Sequence, residues 1–504
     1  MQSTSSGDGP AVNASRGARA AATALAALLG IGIGTAAAQT PDPSKDFFGN
    51  FLTPPYFMPV SALDGQQFGG DLTAVYDQAY IANRANRELL IVGEYPRARF
   101  FSITLYDDHG AVIATLHDSQ INPLRPSTQV NPYRPGGPAG AEDILYAVRV
   151  RLGDGLVTTP AAGCGFPTDF DAASNLLDGR FRHTAGTRYS PDMSNFTATS
   201  PDGTVTVAHD DASANKSVAI VVRRYLEDKS GGTGAFDLTR PVVFVRNTTS
   251  GCALNVWTLA GLSQPDPAAW LPPSAWFNFH TTADAAQIAA HTQHAKDAPI
   301  RTPSGLDPNN RFAWYGGPEY ILTTNPHTGY LSSAVPEAGK PAMLNSRNKV
   351  MRMRFRLPTM PCHARSCPLT GTEEMRYWGL SFVEGERTVT ASVSDLDLNP
   401  DANGYVTLIL SFGTVLPPHV TAANGYSIVV LPAGDPRLVT LRNILPAPNF
   451  PCSIDNVPFK TNEHNANGGY MGQYVPFVDF PFASQLPPTA VPFVQACNCE
   501  LPAR

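Results

Sequence analysis

The sequence predicts a mainly β protein, built as two antiparallel β-sandwich domains joined by a proline-rich linker and one short helix. Three observations predict it. Pro 46 and Gly 42 break the chain into short segments. The runs between breaks are rich in Val, Ile, Thr, Tyr and Phe, which fit a pleated, half-buried surface. Turn signals recur at the spacing expected of sandwiches and barrels. Hydrophobic content of 43% and charged content of 15% place the chain among folded globular proteins.

The N-terminus reads as an export signal over residues 1–38. Arg16 and Arg19 precede an uncharged run from Ala20 to Gly34, and Ala36-Ala37-Ala38 stands ahead of Gln39. The run is too short and too rich in Ala and Gly to anchor stably across a bilayer. The expected mature chain is therefore secreted or periplasmic, with no membrane span. It has about 465 residues, more than one core usually holds. The divisions expected are a tether at 39–50, a first sandwich at 51–263, a linker at 264–309 and a second sandwich at 310–504. A formal charge of −6 over this length gives no electrostatic reason to expect nucleic acid as a partner.

In the first domain, Leu89-Leu90-Ile91-Val92 is a buried run. Phe100 to Tyr106 is a strand, turning through Asp107-Asp108-His109-Gly110 into Ala111 to Leu116. Tyr146, Val148, Val150 and Leu152 alternate with Arg149 and Arg151, the pattern of a half-buried strand. A hairpin crosses Asp202-Gly203, and Ser217–Tyr225 and Pro241–Arg246 are further strands. In the linker, residues 282–296 predict a helix, with Asp284 and Lys296 placed to suit its dipole. In the second domain Met351, Met353, Phe355 and Leu357 alternate with Arg352, Arg354 and Arg356, the cleanest period-two pattern in the chain. Thr388–Val393, Tyr405–Leu410 and Tyr426–Leu431 follow as strands, the first two joined by an Asp/Asn-rich turn ending in Asn403-Gly404.

Seven cysteines in an exported chain point to disulfides: Cys164, Cys252, Cys362, Cys367, Cys452, Cys497 and Cys499. The pairing Cys164–Cys252, Cys362–Cys367 and Cys452 with Cys497 or Cys499 is one of several the spacing permits, and the odd count leaves one thiol over.

Candidate binding groups come from two places. Arg352, Arg354 and Arg356 would stand about 7 Å apart on one sheet face, where guanidinium donors suit sulfate, phosphate or uronate groups. Arg376-Tyr377-Trp378 sets a cation beside two aromatics, as in many sugar-binding clefts; a buried core strand is the alternative. For acid–base work the carboxylates to inspect are Asp107, Asp108 and Asp118. No nucleophile elbow, Walker loop or dinucleotide fingerprint is present. His280, His291 and His294 lack the spacing and the glutamate of the usual zinc helix. Asp395, Asp397, Asn399, Asp401 and Asn403 have calcium-like oxygen density but no closing glutamate, and read as a turn. Neither a metal nor a cofactor is expected.

Short stretches spread over most of the mature chain resemble a widespread family of exported bacterial hypothetical proteins, itself distantly similar to jelly-roll domains of unknown function. They are Arg99-Phe100-Phe101-Ser102 to Tyr106-Asp107 and Gly110, then Asp118, Ile121-Asn122-Pro123 and Asn131-Pro132-Tyr133, then Val222 to Leu226 and Gly232-Thr233-Gly234. In the second half they are Asn325-Pro326, Tyr330-Leu331, Leu357-Pro358-Thr359, Arg376 to Gly379, Asn403-Gly404-Tyr405 and Arg442 to Pro446. Ser381-Phe382 stands near where this group would carry a cysteine. The resemblance implies paired, jelly-roll-like sandwiches in an exported protein and implies no reaction. The functional expectation is binding of an extracellular glycan or other polyanion. The alternatives are a secreted hydrolase or lyase for carbohydrate or ester substrates working between the domains, and a structural envelope component.

Overall fold

Strand-rich segments fill the described part of the computed structural model, which covers residues 58–59, 71–82, 87–106, 112–138, 144–152, 175–179, 195–200, 203–208, 217–227, 241–248, 253–256, 315–316, 325–334, 348–362, 368–384, 388–431, 436–456 and 472–491. The expected signal, tether, Asp107–Gly110 turn, linker and helix 282–296 lie outside these residues. In the N-terminal half the strands are β1 (Met58–Pro59), β2 (Ala74–Ala82), β3 (Arg87–Glu94), β4 (Phe100–Tyr106), β5 (Val112–His117), β6 (Leu145–Arg151), β7 (Leu176–Asp178), β8 (Asn195–Ser200), β9 (Gly203–Ala208), β10 (Ser217–Tyr225), β11 (Val242–Asn247) and β12 (Ala253–Val256). The C-terminal half supplies β13 (Tyr315–Gly316), β14 (Thr328–Ala334), β15 (Met351–Arg356), β16 (Met375–Glu384), β17 (Thr388–Ser394), β18 (Tyr405–Ser411), β19 (Tyr426–Val430), β20 (Pro436–Pro446) and β21 (Phe477–Asp479).

These strands form four large sheets and the β8-β9 ribbon. Sheet I runs β1-β2-β10-β4-β5 and sheet II β12-β11-β3-β6-β7; sheet III runs β13-β14-β20-β16-β17 and sheet IV β19-β18-β15-β21. Pairing is antiparallel except for β6 with β7 and β18 with β19. Period-two patterning decides the packing. Phe101, Ile103, Leu105, Ile220 and Val222 of sheet I meet Leu89, Ile91, Tyr146, Val148 and Val150 of sheet II in one core. Trp378, Leu380, Phe382, Val439 and Leu441 of sheet III meet Met351, Met353, Phe355, Leu408 and Leu410 of sheet IV in another. A third apolar cluster joins sheet I to sheet III, through Ala74, Phe100, Tyr225 and Leu226 on one side and Tyr377 and Ile444 on the other. The layers therefore run II, I, III, IV, with the seam between the two halves lying between I and III.

The halves repeat one another. β2, β3, β4, β5, β6, β7, β10 and β11 correspond in order to β14, β15, β16, β17, β18, β19, β20 and β21. Under that correspondence β2-β10-β4-β5 maps onto β14-β20-β16-β17, and β11-β3-β6-β7 onto β21-β15-β18-β19. The two parallel pairs fall at equivalent places. So do two non-glycine residues in the left-handed region, Leu226 (φ 50) and Leu445 (φ 45). Their N–H groups donate to the carbonyls of Thr73 and of its counterpart His327, at 3.0 and 3.1 Å.

Two local expectations need correction. The strand with Arg149 and Arg151 is not half-solvated: Arg149 is buried, its Nε–H donating to Glu88 at 2.5 Å, so the alternating charge marks an internal ion pair. Asn403-Gly404 does not close a hairpin, because β17 belongs to sheet III and β18 to sheet IV. Gly404 alone takes the positive φ (+81), its N–H bonded to the Asp401 carbonyl at 2.9 Å. The segment is a crossover between sheets.

Candidate functional site

The expected arginine ladder is present on β15, whose residues alternate buried and half-buried from Met351 to Arg356. Core packing of Met351, Met353 and Phe355 turns Arg352, Arg354 and Arg356 to the outer face of sheet IV. Register sets Arg352 beside Asp479, Arg354 between Phe477 and Thr407, and Arg356 beside Tyr405. Arg352 grips Asp479 with two donors, Nε–H to Oδ1 at 2.8 Å and Nη2–H to Oδ2. Arg354 Nη2 lies 3.4 Å from the same Oδ2 and its guanidinium 5.0 Å from the Phe477 ring centre. Arg356 lies 5.4 Å over the Tyr474 ring. The hydrogen bond that Arg352 donates to Asp479 raises the pKa of Arg352, whereas burial, with Arg352 alongside, lowers that of Arg354. One carboxylate thus braces two guanidiniums of a three-guanidinium row rimmed by aromatic rings.

Arg376, Tyr377 and Trp378 do not share a surface. Trp378 is fully buried and stacks on Phe355 at 5.0 Å and 17°, a pairing worth about 1 kcal/mol beyond its burial. Tyr377 is equally buried but on the other face of β16, where its hydroxyl donates to Asp71 at 2.5 Å and lies 2.9 Å from the Thr73 hydroxyl. Arg376 reaches out of sheet III to Asp118, Nη1 to Oδ2 at 3.3 Å. Asp118, completely buried, also accepts from the N–H groups of Phe101 at 3.2 Å and Ser119 at 2.6 Å. Such a carboxylate is committed to structure in this geometry. Asp107 and Asp108 lie outside the described residues.

The Arg376–Asp118 bridge has a twin. Arg99, just ahead of β4, is the counterpart of Arg376 in β16, and Asp395 follows β17 as Asp118 follows β5. Arg99 Nη1 lies 2.5 Å from Asp395 Oδ1. Burial pushes the Asp395 pKa up while the Arg99 guanidinium pulls it down. Other side-chain contacts reciprocate too: Thr73 meets Tyr377, and its counterpart His327 lies 6.1 Å from Phe100, the counterpart of Tyr377. Contacts that exchange in this way define an isologous interface, here inside one chain and about a pseudo-two-fold axis.

The oxygen-rich segment after β17 is spent on its own backbone. Asp397 accepts from the Ser394 N–H at 2.8 Å, Asn399 Nδ2 donates to the Ala422 carbonyl at 2.8 Å, and Asp401 accepts from the N–H groups of Asn403 and Tyr405 at 2.8 and 2.9 Å. Among the described residues no cluster of three His, Cys, Asp or Glu side chains is arranged to hold a metal. His280, His291, His294, Cys164, Cys252, Cys367, Cys497 and Cys499 lie outside the described residues. Ser381, near where the resemblance implies a cysteine, accepts from Arg442 Nη1 and pairs with Ser392 at 2.9 Å. Sequence reasoning missed Arg223, Arg442, Tyr76 and Tyr330, all on the sheet faces that form the seam. Arg223, Tyr330 and Arg442 fall within the stretches that carry the resemblance, but nothing in the sequence assigns them a role, and Val222-Arg223 and Leu441-Arg442 prove equivalent only once the two halves are aligned by their strands.

No family model matches the chain, and no curated protein matches it. Two solved structures are similar in outline. A putative uncharacterized protein from Burkholderia cenocepacia covers 86% of this chain and 82% of its own length, at 11% identity and a TM-score of 0.43. The VPA0106 protein from Vibrio parahaemolyticus covers 78% of this chain and 87% of its own length, at 10% identity and a TM-score of 0.37.

Proposed function

We propose that the protein is exported and binds an acidic extracellular glycan or similar polyanion on the outer face of sheet IV. The observation that carries this reading is the Arg352, Arg354 and Arg356 row, in which Asp479 braces the first two guanidiniums and Phe477 and Tyr474 flank the last two. Braced guanidiniums lose little freedom on meeting carboxylate or sulfate, whose geometry their planar forks match. Phe477, half-buried beside Arg354, offers an apolar face to a sugar ring, whereas Tyr474 is buried beneath Arg356 and backs it. Export is supported by the N-terminal pattern and by the disulfide-bonded state of Cys362 and Cys452. Among the described residues no helix is long and apolar enough to cross a membrane.

Binding of the mature chain to polygalacturonate and to heparin, measured by titration calorimetry at low and moderate salt, tests the proposal. The expected result is salt-sensitive binding that weakens about tenfold in Arg356→Ala, the loss of one charge-assisted contact. Absence of binding to both polymers at low salt contradicts it.

A further inference from the structure

The seam holds a second set of cationic groups apart from the sheet IV face. Arg223 on β10 and Arg442 on β20 are equivalent under the internal repeat, and both are buried. Register sets Arg223 against Tyr76 and Arg442 against Tyr330. The Arg223 guanidinium lies 5.8 Å from the Tyr76 ring centre and 5.4 Å from that of Tyr106; Arg442 lies 5.6 Å from that of Tyr330. Tyr76, Tyr225 and Tyr330 act electrostatically on both guanidiniums, so one cluster of phenols encloses the two cations. Asp71 enters on the Arg442 side, its Oδ2 4.0 Å from Nη1.

Ser102 extends this set. It stands in the cross-strand row Tyr76, Arg223, Ser102, His117, on the sheet I face that forms the seam. Its side chain is fully buried, and its Oγ has no hydrogen-bond partner among the described residues. The hydroxyls around it are satisfied: Thr104 pairs with Thr115 at 3.0 Å, and across the seam Ser381 pairs with Ser392 at 2.9 Å. A buried hydroxyl left unpaired costs about 1–3 kcal/mol, and a bound water or ion is one of the explanations such a group calls for.

We propose that the seam binds a small oxyanion, a carboxylate or a phosphate, on the pseudo-two-fold axis, held by Arg223 and Arg442 from facing sheets with Ser102 donating. Apart from the Asp71 carboxylate on the Arg442 side, the groups that converge there can donate, which suits an acceptor-only ligand: two guanidiniums, tyrosine hydroxyls and one serine hydroxyl. The repeat has also diverged here in a way that makes the site lopsided. Asp71, Thr73 and His117 stand where the other half has Asn325, His327 and Ser394, so the ligand meets two different ends and binds in one orientation.

The test is titration of the mature full-length chain with inorganic phosphate and, separately, with acetate, followed by heat and by the thermal unfolding midpoint. The expected result is one site per chain for at least one of the two anions, with a raised midpoint; the stronger arm identifies phosphate or carboxylate chemistry. Ser102→Ala should weaken that binding about tenfold while leaving the ligand-free midpoint unchanged or higher, because an unpaired hydroxyl has been removed. Arg223→Lys should weaken it further. The proposal is overturned if neither anion binds, or if binding is unaffected by Ser102→Ala. It is also overturned if the site is lost in Arg356→Ala instead, which would assign the anion to the outer face of sheet IV.

Discussion

His327 meets the opposite half through one hydrogen bond and two ring contacts, the second of them with Phe100. Its Nε2 lies 2.8 Å from the Thr115 hydroxyl and its ring 4.8 Å from that of His117. Burial lowers its pKa from 6.5 to about 4, with His117 and Arg223 adding to the fall and Asp118 opposing it. The folded-state value is depressed for a base, so the neutral ring is favoured on folding. Above pH 6.5 the group is neutral in both states and costs nothing. Between pH 6.5 and 4 the unfolded chain takes up a proton that the folded chain refuses, and stability falls as the pH falls. The full cost, reached below about pH 4, is on the order of 3 kcal/mol. Urea unfolding from pH 7.5 to 4 should show this loss in the wild type and a smaller one in His327→Gln; equal slopes would remove His327 from the account. Asp118 gives the residue-scale lesson on legibility. Both Asp118 and Arg376 stand out in the sequence, one as a candidate acid and the other as a candidate ligand group, yet they are partners across 258 residues. Only the docked halves reveal that.

At the scale of the strand, legibility followed burial. β4, β10 and β15 are visible in the sequence because each is an unbroken β-rich run or a clean alternation. β16 is harder to see, since both its faces are buried, Trp378 and Leu380 in the core and Tyr377 and Ser381 in the seam, and so it shows no polar–apolar period. β2 and β14 carry the polar and aromatic residues of the seam, which read as irregular. Gly379 in β16 leaves room for a neighbour, because a Cβ there would collide with the Tyr377 hydroxyl and ring. Gly379→Ala should therefore displace Tyr377 from Asp71 and cost about 1–3 kcal/mol of stability, the cost of breaking a buried hydrogen bond. Chemical denaturation would detect it, and a change under 0.5 kcal/mol, roughly the scatter of neutral surface substitutions, would mean the ring does not need that space.

For the whole molecule, the sandwich class follows from composition and turn spacing, while the duplication does not. Arg99-Phe100-Phe101-Ser102 and Arg376-Tyr377-Trp378-Gly379 occupy equivalent places, as do Asp118 to Pro123 and Asp395 to Pro400. Few side chains are identical between these segments, because what the repeat preserves is a charge at each end of the seam and burial between them. The two halves are consequently held by chemistry at both ends of one face, Arg99 with Asp395 and Arg376 with Asp118. Removing one member strands a buried charge, whereas removing both does not.

A double-mutant cycle on Arg376→Ala and Asp118→Ala in the full chain tests this docking most directly. The account predicts that the two losses of stability are coupled by about 1–3 kcal/mol, the double variant being less damaged than the sum of the singles. Losses that add within about 0.5 kcal/mol would contradict it, because the two side chains would then not meet across the seam.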